Sequence, residues 1–322
     1  MRWVGRAGWL CAGAIAWASA WGEDYPARPI HVVVAMQPGS AGDAVARIVA
    51  QRLAAGMGQP LVVENITGAA GLIGAERIAR SPADGYALGV LGDSMLTLLP
   101  HLQPQTRFDP LEDFEPVSLL AFVTSVLVVH PSVMARNVEQ LVALARAHPE
   151  AMDYASGGVG SQQHVAMGLF SSAAGIALHH IPMRGPAQAA MEVASGRIPM
   201  MFVALSIALP LIRDGRLRPL AVAGAGRSAL LPALPTVAES GLPDFVYTPW
   251  VALCAPAGTP AAAVARLNRE VAAAVGDAGI RAQLAALGLE PATSSPAELR
   301  NRIRYDHMRM GKLIQASGMR GE

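Results

Sequence analysis

The sequence of 322 residues is poor in lysine, cysteine, charge and aromatic side chains. Its single lysine, Lys312, lies near the C-terminus, which excludes the phosphate-binding P-loop G-x-x-x-x-G-K-[ST]. Charged residues make up 15%, with 25 basic and 24 acidic side chains, so the chain offers no basic surface for nucleic acid. Apolar residues make up 52%, enough for two cores, which indicates two domains or one large α/β unit.

The N-terminal segment is typical of a secretory signal peptide. Two arginines precede the apolar residues 7–18, and Ala18-Ser19-Ala20 forms an A-x-A cleavage site. We therefore predict a signal peptide over residues 1–20 and export to the periplasm, with a retained N-terminal anchor as the alternative. Cleavage removes Cys11 and leaves Cys254 as the only thiol, so no internal disulfide forms. We interpret Cys254, within WVALCAPAG, as a buried apolar residue rather than a nucleophile.

Short apolar runs alternate with helical patterns along the chain, which predicts an α/β fold built from βαβ units with mainly parallel sheets. The predicted strands are 30–36, 61–64, 87–91, 153–156, 178–182 and 219–225, and the predicted helices are 43–54, 71–80, 137–147, 164–174 and 187–194.

Two long apolar runs indicate where the chain passes between domains. Val117 to His130 exceeds an ordinary strand, so it is two strands or one strand that crosses between domains. Val246 to Cys254 is a second run that can cross back. The crossings predict one lobe over residues 21–124 and 252–322 and a second lobe over residues 125–251.

Serine or threonine followed by proline marks the starts of two C-terminal helices. Thr259 and Ser295 are the expected N-caps, with Pro260 and Pro296 at the first helical positions. We assign these helices a structural role only.

Two glycine- and serine-rich loops, AMQPGSAGD and SGGVGSQQH, each join a predicted strand to a predicted helix. A helix that starts there directs unpaired N–H groups and its positive dipole end toward one point, which suits an anion. Neither loop has the spacing of a dinucleotide fingerprint. A carboxylate needs only amide and hydroxyl donors, and Ser40, Ser156 and Ser161 can supply the hydroxyls. If the loops face each other, both helix N-termini point into one cleft.

Other chemistries receive less support from the sequence. A hydrolase would use Ser156 or Ser161 with His164 and an acid such as Asp43 or Asp153, but the G-x-S-x-G elbow is absent. His179 and His180 are neighbours on a predicted strand and point to opposite faces, so they do not share a metal ion. Arg184 is either a partner for a carboxylate or a solvated surface residue.

Seven segments spread over the mature chain carry a family resemblance. They are YPARPIHVVVAMQPGSAGD, VVENITGAAGLIGAERIARSPADGYAL, FDPLEDFEPVSLL, YASGGVGSQQH, IPMRGPAQA, LPTVAESGLPDF and W-x-x-x-CAPAGTP. Together they resemble the Bug-type substrate-binding receptors of tripartite tricarboxylate transporters. The resemblance implies a type II periplasmic-binding-protein clamshell that closes on a small carboxylate, without catalysis or cofactor.

The resemblance also implies partners and site residues. The expected partners are a small carboxylate and the membrane components of a tripartite transporter, with a signalling protein as the alternative; we expect a monomer. By motif position, the expected ligand-binding residues are Met36, Gln37, Pro38, Gly39, Ser40, Ala41, Asp43, Gly92, Asp93, Ser94, Ser156, Gly157, Gly158, Ser161, His164, Met183, Arg184 and Gly185.

Departures from the family pattern bear on the identity of the ligand. Met36 and Met183 replace aromatic residues, Ser40 replaces a glycine, and Pro199 stands where an aspartate is usual. Methionine gives a flexible apolar surface, and loss of the acid removes a partner for an ammonium group. We therefore expect a carboxylate with an apolar or aromatic body rather than an amino acid.

Overall fold

The computed structural model describes residues 25–103, 105–148 and 152–317. The signal peptide predicted over residues 1–20 lies outside the described residues. None of the described helices is long and apolar enough to cross a lipid bilayer.

Strands and helices alternate along the described chain, as the apolar pattern predicts. The strands are β1 (Ile30–Val34), β2 (Leu61–Asn65), β3 (Ala87–Gly92), β4 (Phe114–Val123), β5 (Ser125–Val129), β6 (Asp153–Ser156), β7 (His179–Pro182), β8 (Met200–Ala204), β9 (Arg218–Val222), β10 (Trp250–Pro256) and β11 (Leu289–Pro291). The helices are α1 (Ala41–Met57), α2 (Leu72–Ala79), α3 (Asp93–Thr97), α4 (Leu99–Leu102), α5 (Val138–Ala147), α6 (Gln162–Ala174), α7 (Pro186–Ala194), α8 (Leu205–Arg213), α9 (Ala261–Gly276), α10 (Ala278–Ala286) and α11 (Pro296–Ser317).

The strands form two sheets, which confirms the α/β class. One sheet has the order β11-β4-β10-β3-β1-β2 and the other the order β7-β6-β8-β5-β9. Within the first sheet β1 is parallel to β2 and β3, and within the second β6 is parallel to β7 and β8. The sheets are mixed, because β10 and β11 run against the other strands of the first sheet and β5 against those of the second.

The reversed strands β5 and β10 are those by which the chain passes from one sheet to the other. Only Thr124 separates β4 from β5, so the long run from Val117 to His130 is two strands in different sheets. Thr124 lies between the halves: its N–H donates to the Gly288 carbonyl at 3.1 Å, and its carbonyl accepts from Leu205 N–H at 2.8 Å. We retain residues 125–251 as the proposed extent of the second lobe.

Two features of the chain differ from the sequence-based expectations. The apolar segment that forms β8 and α8 received no assignment, because it has no clear period and contains Pro210 inside the helix. Thr259 is not the N-cap of α9: its hydroxyl donates to the Pro256 carbonyl at 2.7 Å, and Pro260 occupies the cap position. Ser295 is confirmed as a cap, since its Oγ accepts from Glu298 N–H at 3.2 Å.

The last helix, α11, packs against both halves of the molecule. Leu299 and Ile303 join the core of the six-stranded sheet, whereas Met310 and Ile314 join the core of the five-stranded sheet. Cys254 is fully buried in the first of these cores, and burial raises the pKa of its thiol to about 12. The interpretation of Cys254 as an unreactive apolar residue agrees with this position.

Three aromatic rings stack beneath the second glycine-rich loop. The His180 ring lies between Tyr154 and His164, with centroid distances of 4.9 and 4.2 Å. Gly160 N–H donates to His164 Nδ1 at 3.0 Å, and Ser156 Oγ lies 2.6 Å from His180 Nε2. Burial, and then the neighbouring His164 and His179, lower the pKa of His180 to about 4. The stack is therefore built on a neutral His180.

This stack predicts a loss of stability in mild acid. Unfolded His180 takes up a proton near its ordinary pKa of about 6.5, but folded His180 resists protonation until about pH 4. The stabilisation is complete above about pH 6.5 and is lost as the pH falls toward 4. After discounting for the partial exposure of the ring, we expect about 1–2 kcal/mol from this residue.

Urea unfolding at pH 7.5 and at pH 4.5 measures the effect. Between these pH values the free energy of unfolding of His180→Gln should change by about 1–2 kcal/mol less in the destabilising direction than that of the natural protein. His148→Gln, at the exposed end of α5, should change as the natural protein does. Equal acid losses in the two variants would contradict the assignment.

Candidate ligand-binding site

The first glycine-rich loop ends at the start of α1. Ser40 is the N-cap, and its Oγ accepts from Asp43 N–H at 3.3 Å. Gly39 has φ of 77°, a left-handed conformation that favours glycine. The N–H groups of Ala41 and Gly42, the first two helical residues, have no acceptor within the helix and point out of its N-terminus.

A polar network behind the loop holds it in place. Asp43 accepts from Gly39 N–H at 3.0 Å, from Arg47 Nε at 2.9 Å and from Asn65 Nδ2 at 2.9 Å. Asn65 also donates to the Met36 carbonyl at 3.0 Å. Asp43 therefore acts on the loop from behind, with Arg47 balancing its charge. Asn65 belongs to this network and was not predicted from the sequence.

The second glycine-rich loop repeats the same local geometry at α6. Ser161 is the N-cap, and its Oγ accepts from His164 N–H at 3.4 Å. Gly158 and Gly160 have φ of 123° and 77°. The N–H groups of Gln162 and Gln163 thus correspond to those of Ala41 and Gly42 at the other helix start.

Both loops line one cavity of about 460 Å³ between the two halves. The structure therefore brings together the two loops that the sequence singled out. The predicted residues that line this cavity are Met36, Gln37, Ser40, Ala41, Gly92, Ser94, Gly157, Gly158, Ser161, Met183, Arg184 and Gly185.

The other predicted site residues lie outside this lining. Pro38 and Gly39 are exposed on the outer side of the loop, and Asp43 lies behind it. Ser156 is completely buried, and its Oγ accepts from Gly158 N–H at 3.0 Å. His164 is buried in the ring stack, and Asp93 is buried at the start of α3. Gly92 ends β3, and Asp93 and Ser94 begin this helix.

The loop between β2 and α2 contributes a third wall that the sequence reasoning did not assign. Residues 67–71 line the cavity, and Ala69 and Ala70 have positive φ values of 46° and 54°. Left-handed backbone is uncommon for residues with a Cβ. The segment NITGAAG is a third small-residue connection from strand to helix, and this pattern was the available clue.

Contacts across the cavity show a closed arrangement of the two halves. Gln37 Nε2 in the first loop donates to the Arg184 carbonyl in the second half. A Cβ at Gly185 would overlap the Gln37 side-chain amide, and one at Gly160 would overlap Leu99. These glycines permit the close approach of the halves.

The charge of the cavity comes from one residue. Within the described chain, Arg184 is the only charged residue of the lining, and no carboxylate lies within ion-pair distance of it. Two helix N-termini add partial positive charge. The arrangement can hold an anion by amide, hydroxyl and guanidinium donors. His164 Nδ1 is not one of these donors, because it accepts from Gly160 N–H.

Removal of the Asp43 carboxylate should loosen the first loop. Asp43→Ala leaves the Gly39 N–H without its acceptor and weakens the hold on Asn65 and Arg47. Since a hydrogen bond to a charged group contributes about 1.5–3 kcal/mol, we expect a loss of about 2 kcal/mol in the free energy of unfolding. Urea unfolding measures the change, with Asp214→Ala at the exposed end of α8 as the control. A loss no larger than that of the control would show that the network does not hold the loop.

Comparison with known proteins identifies relatives in one receptor family. The family model described as tripartite tricarboxylate transporter family receptor matches residues 45–319. Protein BugT of Bordetella pertussis is 36% identical over 308 residues, which cover 95% of this chain and 94% of the relative.

Solved structures of similar proteins share the fold. The structure "R. palustris Rpa4515 with adipate" has a TM-score of 0.88 and 32% identity, covering 92% of this chain and 99% of that one. The structure of MatC from Rhodopseudomonas palustris with bound malate has a TM-score of 0.84 and 28% identity, covering 90% of this chain and 100% of that one. The periplasmic binding protein BugD has a TM-score of 0.87 and 27% identity, covering 92% and 99%.

The match extends over almost all of the described chain, and these relatives are solute receptors rather than enzymes. Both the fold and the position of the cavity agree with the resemblance seen in the sequence. This chain belongs to the tripartite tricarboxylate transporter receptor family, the Bug-type periplasmic solute-binding proteins.

Proposed function

We propose that this receptor binds a small carboxylate in the cavity between its two halves. The observation that carries the proposal is the convergence of two helix N-termini, α1 and α6, on one cavity. A serine caps the N-terminus of each helix. One carboxylate between the two helix starts meets the free N–H groups of both. Similar receptors with adipate and malate bound support this ligand class.

The walls of the cavity favour an apolar body on the ligand. Met36 and Met183 line it from opposite halves, together with Ile207 and Val251. Among the described residues, the lining contains no acidic side chain that would pair with an ammonium group. An aliphatic or aromatic acid satisfies these walls better than an amino acid does, because an unpaired ammonium group loses its hydration on entry.

We further propose that the protein is exported by its N-terminal segment and delivers its ligand to the membrane components of a tripartite transporter. A ligand that touches both loops makes more contacts with the closed form than with an open one. It therefore shifts the population toward closure. The closed form is then the one presented to the membrane partners.

Thermal melting against a panel of acids tests the ligand class. The panel contains adipate, malate, benzoate, aspartate, glutamate and phosphate. A ligand at a hundredfold excess over its dissociation constant stabilises the folded state by about 2.7 kcal/mol, which is readily seen as a rise in Tm. We expect a rise with adipate or benzoate that exceeds the rise with either amino acid. A larger rise with aspartate or glutamate would contradict the apolar preference, and a rise with phosphate alone would contradict the carboxylate proposal.

A variant at Arg184 tests the position of the anion for the acid that gives the largest rise. Arg184→Gln should weaken binding about tenfold or more, because a charge-assisted hydrogen bond contributes about 1.5–3 kcal/mol. Arg213→Gln, on the exposed end of α8 and outside the cavity lining, should leave the affinity unchanged. Isothermal titration calorimetry compares the two. Equal affinities in both variants would place the carboxylate elsewhere.

A further inference from the structure

Asp93 is a buried carboxylate close to the ligand cavity but outside its lining. It begins the short helix α3, directly after β3 of the six-stranded sheet, and its side chain is 6% exposed. The adjacent Gly92 and Ser94 do line the cavity. On its other side, Asp93 borders a second cavity of about 360 Å³ with Trp250 and Asp306. Asp93 therefore separates the ligand cavity from this second cavity.

Both side chains that donate to Asp93 come from the other half of the molecule. Gln162, the first residue of α6, donates through Nε2 to Oδ1, and Tyr247 donates through its hydroxyl to Oδ2 at 3.0 Å. Tyr247 is packed in the core of the five-stranded sheet, and its N–H donates to the Ala223 carbonyl at 2.9 Å. Gln162 also lines the ligand cavity. The Asp93 carboxylate thus joins the two halves at the edge of the ligand cavity.

We propose that Asp93 is a positioning residue that holds the two halves of the receptor closed through its bonds to Gln162 and Tyr247. Opening would carry both donors away with the five-stranded half and leave the carboxylate to water. The proposal rests on the proposed function for the biological role of closure, but the bonds themselves require no ligand. They also orient Gln162 for the cavity.

Closure changes the environment of this carboxylate and therefore its proton affinity. Burial is the largest influence and raises the pKa of Asp93 to about 6 in the closed form, even though Gln162, Tyr247 and the Ser94 N–H favour the charged state. In an open form that exposes it to water, we expect an ordinary pKa of about 3.9. Closing then takes up a proton at intermediate pH, so closure strengthens as the pH falls toward 4 and weakens as the pH rises through 6.

Other ionisable groups surround the α3 region and must be separated from Asp93. Those from the neighbouring elements are Tyr247, Asp306, His307 and Arg309, with His101 stacked on His307. Asp306 raises the pKa of Asp93, and burial lowers the pKa of His307. A variant of Asp93 itself therefore isolates its contribution.

The distance between the halves, followed without ligand, tests the proposal. Fluorophores attached at Val62→Cys on β2 and Met134→Cys before α5 report the opening by single-molecule energy transfer, since these positions are 44% and 85% exposed. Cys254 is buried and does not compete for label, and protein expressed from Trp21 lacks Cys11. From pH 7.5 to pH 5 we expect the ratio of closed to open molecules to rise about tenfold.

Two variants distinguish the Asp93 bond from a general effect of pH. Asp93→Asn keeps the shape but cannot titrate, so its closed fraction should not change between pH 7.5 and pH 5 through this residue. Glu290→Gln, which borders the same second cavity at an exposed position, should retain the tenfold response. A response that persists in Asp93→Asn, or that is absent in the natural protein, would overturn the proposal.

A variant on the other side of the bond keeps the test decisive if Asp93→Asn does not fold. Tyr247→Phe removes a hydrogen bond that lowers the pKa of Asp93, so the midpoint of the closing response should move to higher pH. An unchanged midpoint would contradict the proposed bond. The closure test contains no carboxylate ligand. Its failure is therefore distinguishable from a failure of the melting panel to detect a ligand.

Discussion

Two helix starts with unsatisfied N–H groups meet at one cavity, and the rest of the site is arranged around this constraint. Ser40 and Ser161 each satisfy the third N–H of their helix, which leaves the first two of α1 and α6 directed outward. An anion between them is the simplest acceptor for both sets. Arg184 is the one charged residue among the described residues of the lining, so a single carboxylate matches the site in charge as well as geometry.

The same geometry links recognition to motion, because the two helix starts belong to different halves. The donors converge in the closed arrangement of the halves, and the chain passes between the sheets through Thr124 and again before β10. Direct bridges from Gln37 to Arg184 and from Gln162 to Asp93 add to closure without a ligand. A receptor of this kind needs such bridges to be weak, since closure must still respond to ligand.

Much of the fold could be predicted from the sequence because the relevant signals are local. Alternating apolar runs located most strands, and the two serine-capped loops located two walls of the cavity. The family resemblance places Ser156 and His164 in the expected site by motif position. The structure places their side chains beneath the second loop, because β6 ends with Ser156 pointing toward His180 and His164 faces the same ring stack.

The site residues that the sequence did not predict either act through long-range contacts or belong to segments without a recognisable sequence pattern. Asn65 reaches the first loop only because β2 lies beside β1, and the role of Tyr247 depends on how the halves close on Asp93. Within residues 67–71, Ala69 and Ala70 adopt left-handed conformations that the composition does not predict. The lining residue Ile207 belongs to α8. This helix is apolar along most of its length, so its sequence shows no helical alternation of apolar and polar residues.

A titration of the ¹⁵N-labelled protein with adipate, followed by amide NMR, locates the carboxylate relative to the two helix starts. We expect the amides of Ala41 and Gly42 to shift together with those of Gln162 and Gln163, with one common dissociation constant. Shifts confined to one helix start, or absent from both while adipate raises the Tm, would show that the carboxylate is not held between the two helices.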